Sequence, residues 1–284
     1  MALNWPTFFT RLGSAIVFCI IMMAGLLWNE WAFAALAALI QFLCLRDYFR
    51  LVHKIYPDTW MPAWLMPVVQ LFAFGLLALL FATLHFDMPY SAGIPLWPAL
   101  LCVPVLLMLL TVLSKKTGLQ AVLQALGGIF YITLPMVLLV CMRHQSIVLP
   151  LALILMIWTN DTMAYLVGSF IGKTPFSPIS PKKTWEGTAG GAVLTIVGAA
   201  IWGYFTSYYH MTDWMALALC ASVAGTAGDL LESKLKRMAD VKDSGAMMPG
   251  HGGALDRFDS LLVATPFAFC YAYLFMDALH LTIF

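Results

Sequence analysis

The sequence predicts an all-α polytopic membrane protein of about nine transmembrane helices, with a cytoplasmic amino terminus and a periplasmic or extracytoplasmic carboxyl terminus. Composition is the first reason. Of the 284 residues, 62% are hydrophobic and only 10% are charged, and the mean hydropathy is +0.88, whereas a soluble domain carries about 25% charged residues. The second reason is that the apolar residues form long runs, and a helix needs about 20 such residues to cross the ~30 Å hydrocarbon core.

Nine apolar runs approach or meet this length, and the first two are short and separated by Asn29 and Glu30. Arg11 and the run that follows it are also typical of a signal peptide. We favour a helical hairpin, because apolar character resumes at once after the break. In chain order the predicted spans are 12–28, 31–45, 62–84, 95–113, 119–141, 147–171, 187–206, 214–231 and 260–281.

The distribution of basic residues predicts the orientation of these spans. With a cytoplasmic amino terminus, alternation places every Lys and Arg except Arg143 on the inner side, as the positive-inside rule requires. We therefore expect the polar loops to face the cytoplasm, and we expect the protein to lie in a bacterial inner (plasma) membrane. A net charge of +1 gives no global basic field, so no nucleic-acid partner is expected.

Polar chemistry is concentrated in the second part of the chain. We predict amino-terminal transmembrane helices over 1–118 and a catalytic transmembrane half over 119–284, with cytoplasmic loops 172–186 and 232–259. The six cysteines lie far apart in apolar runs without a CxxC pair or Cys/His cluster, so the spacing suggests neither a zinc site nor a disulfide framework. His85 and His144 lie near predicted outer span ends and are interpreted as interfacial residues.

The segment from Asp229 to Asp259 is the strongest polar signal. Asp229, Glu232 or Ser233, and Lys236 recur at helical spacing and share one face of a helix. A glycine-rich loop follows, in which backbone N–H groups can approach an anion. The segment ends with two aspartates three residues apart, Asp256 and Asp259, at the start of the last span.

Oxygen-only acidic clusters suit hard cations, and Mg²⁺ is typically held by one or two carboxylates plus substrate phosphates. We therefore predict Asp229, Asp256 and Asp259 as metal ligands. The alternative is an ordinary solvated cytoplasmic loop of mixed charge. The predicted counter-charges for a polyphosphate are Lys234, Lys236, Arg237, Lys242 and Arg257.

Two further signals lie upstream on the same predicted face. Asp161 lies inside the sixth span, where a carboxylate is costly unless it is paired or faces a hydrated cavity, so a functional role is favoured over a purely structural hydrogen bond. The stretch Ser180–Gly187 places Lys182, Lys183 and Thr184 before a helix start, which makes a phosphate cradle plausible. Lysines at a membrane edge also contact anionic lipids.

Together these residues resemble the signature of the phosphatidate cytidylyltransferase (CDP-diacylglycerol synthase) family. The resemblance covers about residues 155–265. It rests on Trp158-x-x-Asp161, on Ser180-Pro-Lys-Lys-Thr-Trp-Glu-Gly187, and on the run from Ser233 to Asp259 that contains Pro249-x-His251-Gly252-Gly253 and Asp256-Arg257-x-Asp259.

The resemblance implies transfer of the cytidylyl group of CTP to phosphatidate, giving CDP-diacylglycerol and pyrophosphate, in a homodimeric membrane protein. It also implies a Mg²⁺-dependent site, with K⁺ as a second cation in some members. Catalytic residues are then Asp229, Asp256, Asp259, Lys242 and Arg257. Substrate-binding residues are then Asp161, Lys182, Lys183, Thr184, Ser233, Lys236, Arg237, His251, Gly252 and Gly253.

Two other functions fit parts of the pattern. An anion transporter would also place Asp161 and basic loops in a polytopic bundle, but it is expected to show repeat symmetry and broken helices in both halves. The first half of this chain lacks polar intramembrane residues. A related CTP-using enzyme acting on another lipid, such as one that uses an isoprenoid-ether analogue of phosphatidate or a polyprenol kinase, would share the chemistry and differ only in its acceptor, and the first of these acceptors stays open.

Overall fold

The computed structural model describes residues 5–85, 118–247 and 252–276 together with Cys102 and Leu109, and the side chains of the first helix from Gly13 onward. Almost all of this part of the chain is helical. In order, the elements are α1 (Trp5–Leu27), α2 (Glu30–Ile55), α3 (Leu65–His85), α4 (Leu119–Gly128), a π-helical turn (Ile129–Thr133), α5 (Leu134–Gln145), α6 (Val148–Ile171), strands β1 (Pro175–Ser177) and β2 (Ser180–Thr184), α7 (Trp185–Phe205), α8 (Met211–Met238) and α9 (Leu255–Phe275).

The helices confirm an all-α polytopic membrane fold. Within the described residues, seven helical stretches are long and apolar enough to cross a membrane, counting α4, the π turn and α5 as one, and Gly13–Leu27 adds a shorter apolar helix. The predicted span at 95–113 lies outside the described residues except for Cys102 and Leu109. The total of nine therefore stays a prediction.

The first two helices are separate, as the hairpin interpretation predicted. Asn29 caps α2, because its side-chain oxygen accepts a hydrogen bond of 2.7 Å from the backbone N–H of Ala32. Several helices extend beyond their predicted spans, and three of the extensions lie at the site: α2 continues from 45 to Ile55, α8 continues from 231 to Met238, and α9 begins at Leu255 instead of 260. These extensions carry Asp47, Glu232, Lys236, Asp256 and Asp259.

The predicted loop at 172–186 contains a short antiparallel hairpin. Strand β1 pairs with β2, with Pro175 opposite Thr184, and the two lysines of the predicted phosphate cradle lie on β2. Thr184 then caps α7, since its hydroxyl oxygen accepts a 3.1 Å hydrogen bond from the N–H of Gly187. Glu186 accepts hydrogen bonds from the N–H (3.1 Å) and hydroxyl (2.8 Å) of Thr174, which hold the hairpin against the helix.

Helices α8 and α9 cross closely at Gly228. A Cβ atom at this position would lie 3.1 Å from the carbonyl carbon of Asp259 and 3.1 Å from the Cα of Ser260. Small residues let membrane helices approach to backbone contact. Because Asp229 follows Gly228 directly, this crossing brings acidic side chains of the two helices together.

Candidate active site at the crossing of α8 and α9

Three carboxylates from α8 and α9 form an acidic cluster. Asp229 and Glu232 lie three residues apart on one face of α8, and Asp259 faces them from α9. One carboxylate oxygen from each side chain lies within 4.8 Å of the others. Glu232 is 0% exposed and Asp259 is 8% exposed, so bound or neighbouring cations must offset the repulsion between the charges.

Two lysines supply part of that positive charge. Lys183 on β2 forms an ion pair with Asp229. Lys236, one helical turn after Glu232 on α8, forms an ion pair with that glutamate and lies 2.6 Å from Oδ1 of Asp256. Four carboxylates against these two lysines leave an excess of negative charge, which makes the cluster suited to a metal cation.

Asp256 holds the loop between α8 and α9. Its Oδ2 accepts hydrogen bonds from the N–H and hydroxyl of Ser244, both at 2.8 Å, and from the N–H of Gly253 at 2.7 Å. Its Oδ1 accepts from Lys236. Gly252 has a φ of +80°, which favours glycine. Both carboxylate oxygens of Asp256 thus have protein partners, and the structure gives this predicted ligand a loop-holding position.

Asp47 on α2 holds the same loop from the other side, and the sequence analysis did not identify it. The side chain is 1% exposed, and its Oδ2 accepts a 2.7 Å hydrogen bond from the N–H of Ala254. Arg46 lies 3.4 Å from its Oδ1. Cβ atoms at Gly245 and Gly253 would lie 2.6 Å and 2.5 Å from oxygens of this carboxylate. The first half of the chain therefore contributes a charged group to the site.

Two cavities share part of their lining beside the acidic cluster. The larger, of about 680 Å³, is lined mainly by polar residues of β2, α6 and α8, including Lys182, Lys183 and Thr184. The smaller, of about 470 Å³, lies between α1, α6 and α9 and is lined largely by apolar side chains such as Phe18 and Trp158. Both cavities are bordered by Asp161, Asp256, Asp259 and Ser260. A polar molecule in one cavity and an amphipathic molecule in the other could therefore meet at the acidic cluster.

Comparison with known proteins identifies the family. The model of the cytidylyltransferase family matches residues 9–275. The chain belongs to the cytidylyltransferase family.

Members named phosphatidate cytidylyltransferase are similar to the chain over different lengths. The Synechocystis protein is 31% identical over 95% of this chain and 96% of its own length. The Bacillus subtilis protein is 48% identical over 40% of this chain, an alignment that spans 43% of that relative. The Haemophilus influenzae protein is 38% identical over 47% of this chain and 48% of its own length. The similarity to the last two thus covers less than half of each relative.

The remaining predicted site residues of this cytidylyltransferase differ in their contacts and exposure where the structure describes them. Ser233 donates a 3.4 Å hydrogen bond to Asp229. Arg257 is exposed on α9 and lines the smaller cavity. Arg237 and Lys242 are exposed, and Arg237 donates a long hydrogen bond of 3.5 Å to the carbonyl of Val241. His251 lies outside the described residues.

The donor set fits a hard divalent cation. Mg²⁺ takes oxygen ligands at 2.0–2.1 Å, so two ligands of one ion lie about 3–4 Å apart, and the three carboxylates already lie within 4.8 Å of one another. Glu232 strengthens the fit, because its buried Oε1 has no hydrogen-bond donor among the described residues. Sequence spacing had placed Glu232 on the correct helix face but had not selected it as a ligand.

Proposed function

We propose that this cytidylyltransferase transfers the cytidylyl group of CTP to phosphatidate, giving CDP-diacylglycerol and pyrophosphate. The observation that carries the proposal is that a cavity lined mainly by polar residues and a cavity lined largely by apolar residues share Asp161, Asp256, Asp259 and Ser260 in their walls. A water-soluble nucleotide and a membrane lipid need such an arrangement to react. The names of the relatives agree with these substrates.

In the proposed complex, CTP occupies the polar cavity and the lipid occupies the apolar one. Lys182 and Lys183 line the polar cavity, where they would bind phosphate oxygens of CTP. Phe18 and Met22 of α1 and Trp158 of α6 line the other cavity, where they would contact the glycerol and acyl groups. Arg257 lines that cavity too and is the side chain that we assign to the phosphate of the lipid.

The reaction needs positioning and charge neutralisation more than proton transfer. An oxygen of the lipid phosphate attacks the α-phosphorus of CTP in line, the new P–O bond forms, and the bond to the β-phosphate oxygen breaks with release of pyrophosphate. A phosphate monoester has a second pKa of about 6, so the attacking group is already largely a dianion near neutral pH. The lysines therefore act by neutralising developing charge, and no general base is required.

We also propose that Asp229, Glu232 and Asp259 hold Mg²⁺, with K⁺ as a second candidate cation. A bound Mg²⁺ supplies charge neutralisation at the phosphate oxygens. In this arrangement Asp256 acts as a positioning residue, since its oxygens bind Ser244, Gly253 and Lys236. The original ligand prediction of Asp229, Asp256 and Asp259 is the competing assignment.

An assay with purified protein tests the function. CTP labelled at the α-phosphate, Mg²⁺ and phosphatidate should yield a lipid-soluble labelled product and unlabelled pyrophosphate. Asp259→Asn should remove most of the activity. Asp240→Asn is the matched control, because Asp240 is exposed in the loop after α8 and has a φ of 51°, which asparagine also adopts. Absence of product with the unchanged protein, or product only with another lipid acceptor, would refute the proposed substrate.

The proposed topology is nine helices in a bacterial inner membrane, with the amino terminus and the active site on the cytoplasmic side. A homodimer is proposed as the assembly. Single cysteines at Lys182 and at Ser146, in a cysteine-free background, should label from opposite sides of sealed vesicles. Equal labelling from one side would contradict the orientation, and a monomeric mass in detergent and in nanodiscs would contradict the dimer.

A further inference from the structure

A second cluster of ionisable side chains lies at the ends of three helices. Glu30 begins α2, His85 ends α3, and His144 lies one residue before the end of α5. Glu30 precedes Asp47 by 17 positions on the same helix, a rise of about 26 Å at ~1.5 Å per residue. The cluster is therefore at the opposite end of α2 from the proposed active site.

The two histidines converge on a single carboxylate oxygen. Nε2 of His85 lies 2.9 Å from Oε2 of Glu30, and Nδ1 of His144 lies 2.8 Å from the same oxygen. All three ligand atoms lie within 4.8 Å of one another. Two imidazoles and one carboxylate form a ligand set that zinc takes in proteins, usually with water in the fourth position.

The surroundings orient this set as the outer shell of a metal site does. Nδ1 of His85 lies 3.0 Å from the carbonyl oxygen of Phe81, so an N–H at Nδ1 leaves the lone pair of Nε2 directed at the cluster. The other oxygen of Glu30 lies 3.9 Å from Nη1 of Arg143, whose Nε donates a 2.9 Å hydrogen bond to the carbonyl of Leu26. Glu30 thus has one oxygen toward Arg143 and one toward both histidines.

His85 also poses a chemical requirement. Both of its ring nitrogens face acceptor oxygens, one on Phe81 and one on Glu30. A neutral imidazole has only one N–H to donate. The ring carries both protons as an imidazolium, or Glu30 is protonated and donates to Nε2, or a cation lies between Nε2 and the carboxylate.

We propose that Glu30, His85 and His144 bind one divalent transition-metal ion of the zinc type. Tetrahedral ligands at ~2.0–2.1 Å from zinc lie about 3.3 Å apart, so each measured nitrogen–oxygen separation needs to widen by roughly half an ångström. The three side chains are between 21% and 30% exposed, so each is partly open to solvent. The ion would tie the ends of α2, α3 and α5 together.

Titration with Co²⁺, which reports tetrahedral coordination by its visible absorption, tests the proposal. The full-length protein is purified in detergent with a tag that contains no histidine. One equivalent of Co²⁺ should give the absorption bands, and one equivalent of Zn²⁺ should abolish them. Zn²⁺ should also raise the midpoint of thermal unfolding, because it binds the folded state.

Variants separate this site from other histidines. His85→Gln and His144→Gln should each weaken Co²⁺ binding by more than about 100-fold, because changes outside the ligand shell alone cost 10–100-fold. His53→Gln is the control, since His53 is an exposed histidine on the same helix α2, and it should bind Co²⁺ as the unchanged protein does. If a variant does not fold, X-ray absorption of the Zn²⁺-bound unchanged protein should still show two imidazoles and one carboxylate. Absence of stoichiometric binding, or unchanged binding in both glutamine variants, would overturn the proposal and leave an imidazolium–carboxylate ion pair.

Discussion

Replacement of Asp47 should impair the active site although this residue lines neither of the two cavities. Asp47→Ala removes the acceptor of the Ala254 N–H, a buried hydrogen bond of 2.7 Å to a charged group. Such bonds contribute about 1.5–3 kcal/mol. This hydrogen bond stabilises the loop that Asp256 of α9 also binds. If its whole free energy favours the active arrangement of the loop, its loss lowers the population of that arrangement by about 10- to 150-fold, at ~1.36 kcal/mol per tenfold.

Asp47→Asn should have a smaller effect, because its amide oxygen can still accept from Ala254. Neutral hydrogen bonds are about half as strong as charge-assisted ones, so the expected decrease in kcat is about 3- to 12-fold. The measurement is kcat and KM for CTP in the labelled-CTP assay, with thermal unfolding in parallel. Partial rescue by asparagine distinguishes positioning of the loop from nonspecific damage to the fold.

Gln41→Met is the matched control for this series. Gln41 is a fully buried polar residue on the same helix, and neither its amide nitrogen nor its oxygen has a hydrogen-bond partner among the described residues. Replacement with methionine conserves volume and should leave kcat within about twofold, since volume-conserving changes are tolerated best. Full activity of Asp47→Ala, or an equal loss in Gln41→Met, would refute the argument.

Three further predictions concern the acidic cluster. Gly228→Ala should lower the free energy of unfolding by about 1–3 kcal/mol and should also lower activity, because the added methyl group would overlap the backbone at Asp259. Gly198→Ala should change neither, because a Cβ atom at Gly198 would have no neighbour within 4 Å. Lys183→Met should raise the KM for CTP by about tenfold or more, as expected for a lost charged phosphate contact, whereas exposed Lys54→Met should not. Removal of divalent cations with EDTA should abolish activity, and Mg²⁺ should restore it; persistent turnover without divalent cations would contradict the metal assignment.

Helical spacing predicted part of the site, because it depends on local geometry. The i, i+3/i+4, i+7 pattern correctly placed Asp229, Glu232 and Lys236 on one face of α8. Spacing alone could not reveal whether Asp256 faces the cluster or the loop, since it shares a helix face with Asp259. The direction in which Asp256 faces depends on where the N–H groups of Ser244 and Gly253 lie. The conformation of a loop does not follow from a periodic sequence pattern.

Other features of the structure could not be predicted from the sequence because they depend on contacts between distant segments. Asp47 and Ala254 are 207 positions apart, and an isolated aspartate among Arg46, Arg50 and Lys54 gives no local signal. The same is true of Glu30, His85 and His144, which separate helices bring together. The hairpin of β1 and β2 was missed because three- and five-residue strands are too short to establish an alternating pattern.

The described first-half helices therefore do more than span the membrane. Three side chains hold the described part of the loop between α8 and α9. Asp256 of α9 accepts hydrogen bonds from the N–H groups of Ser244 and Gly253, Lys236 of α8 binds that aspartate, and Asp47 of α2 accepts a hydrogen bond from the N–H of Ala254. Removing any one partner leaves a buried charge or N–H unpaired, which costs more than the bond contributes when intact. Because α2 supplies one of the three, we expect residues 119–284 without α2 to fold poorly around the site, and we expect the division at residue 118 to mark where the polar chemistry begins and not an independent catalytic unit.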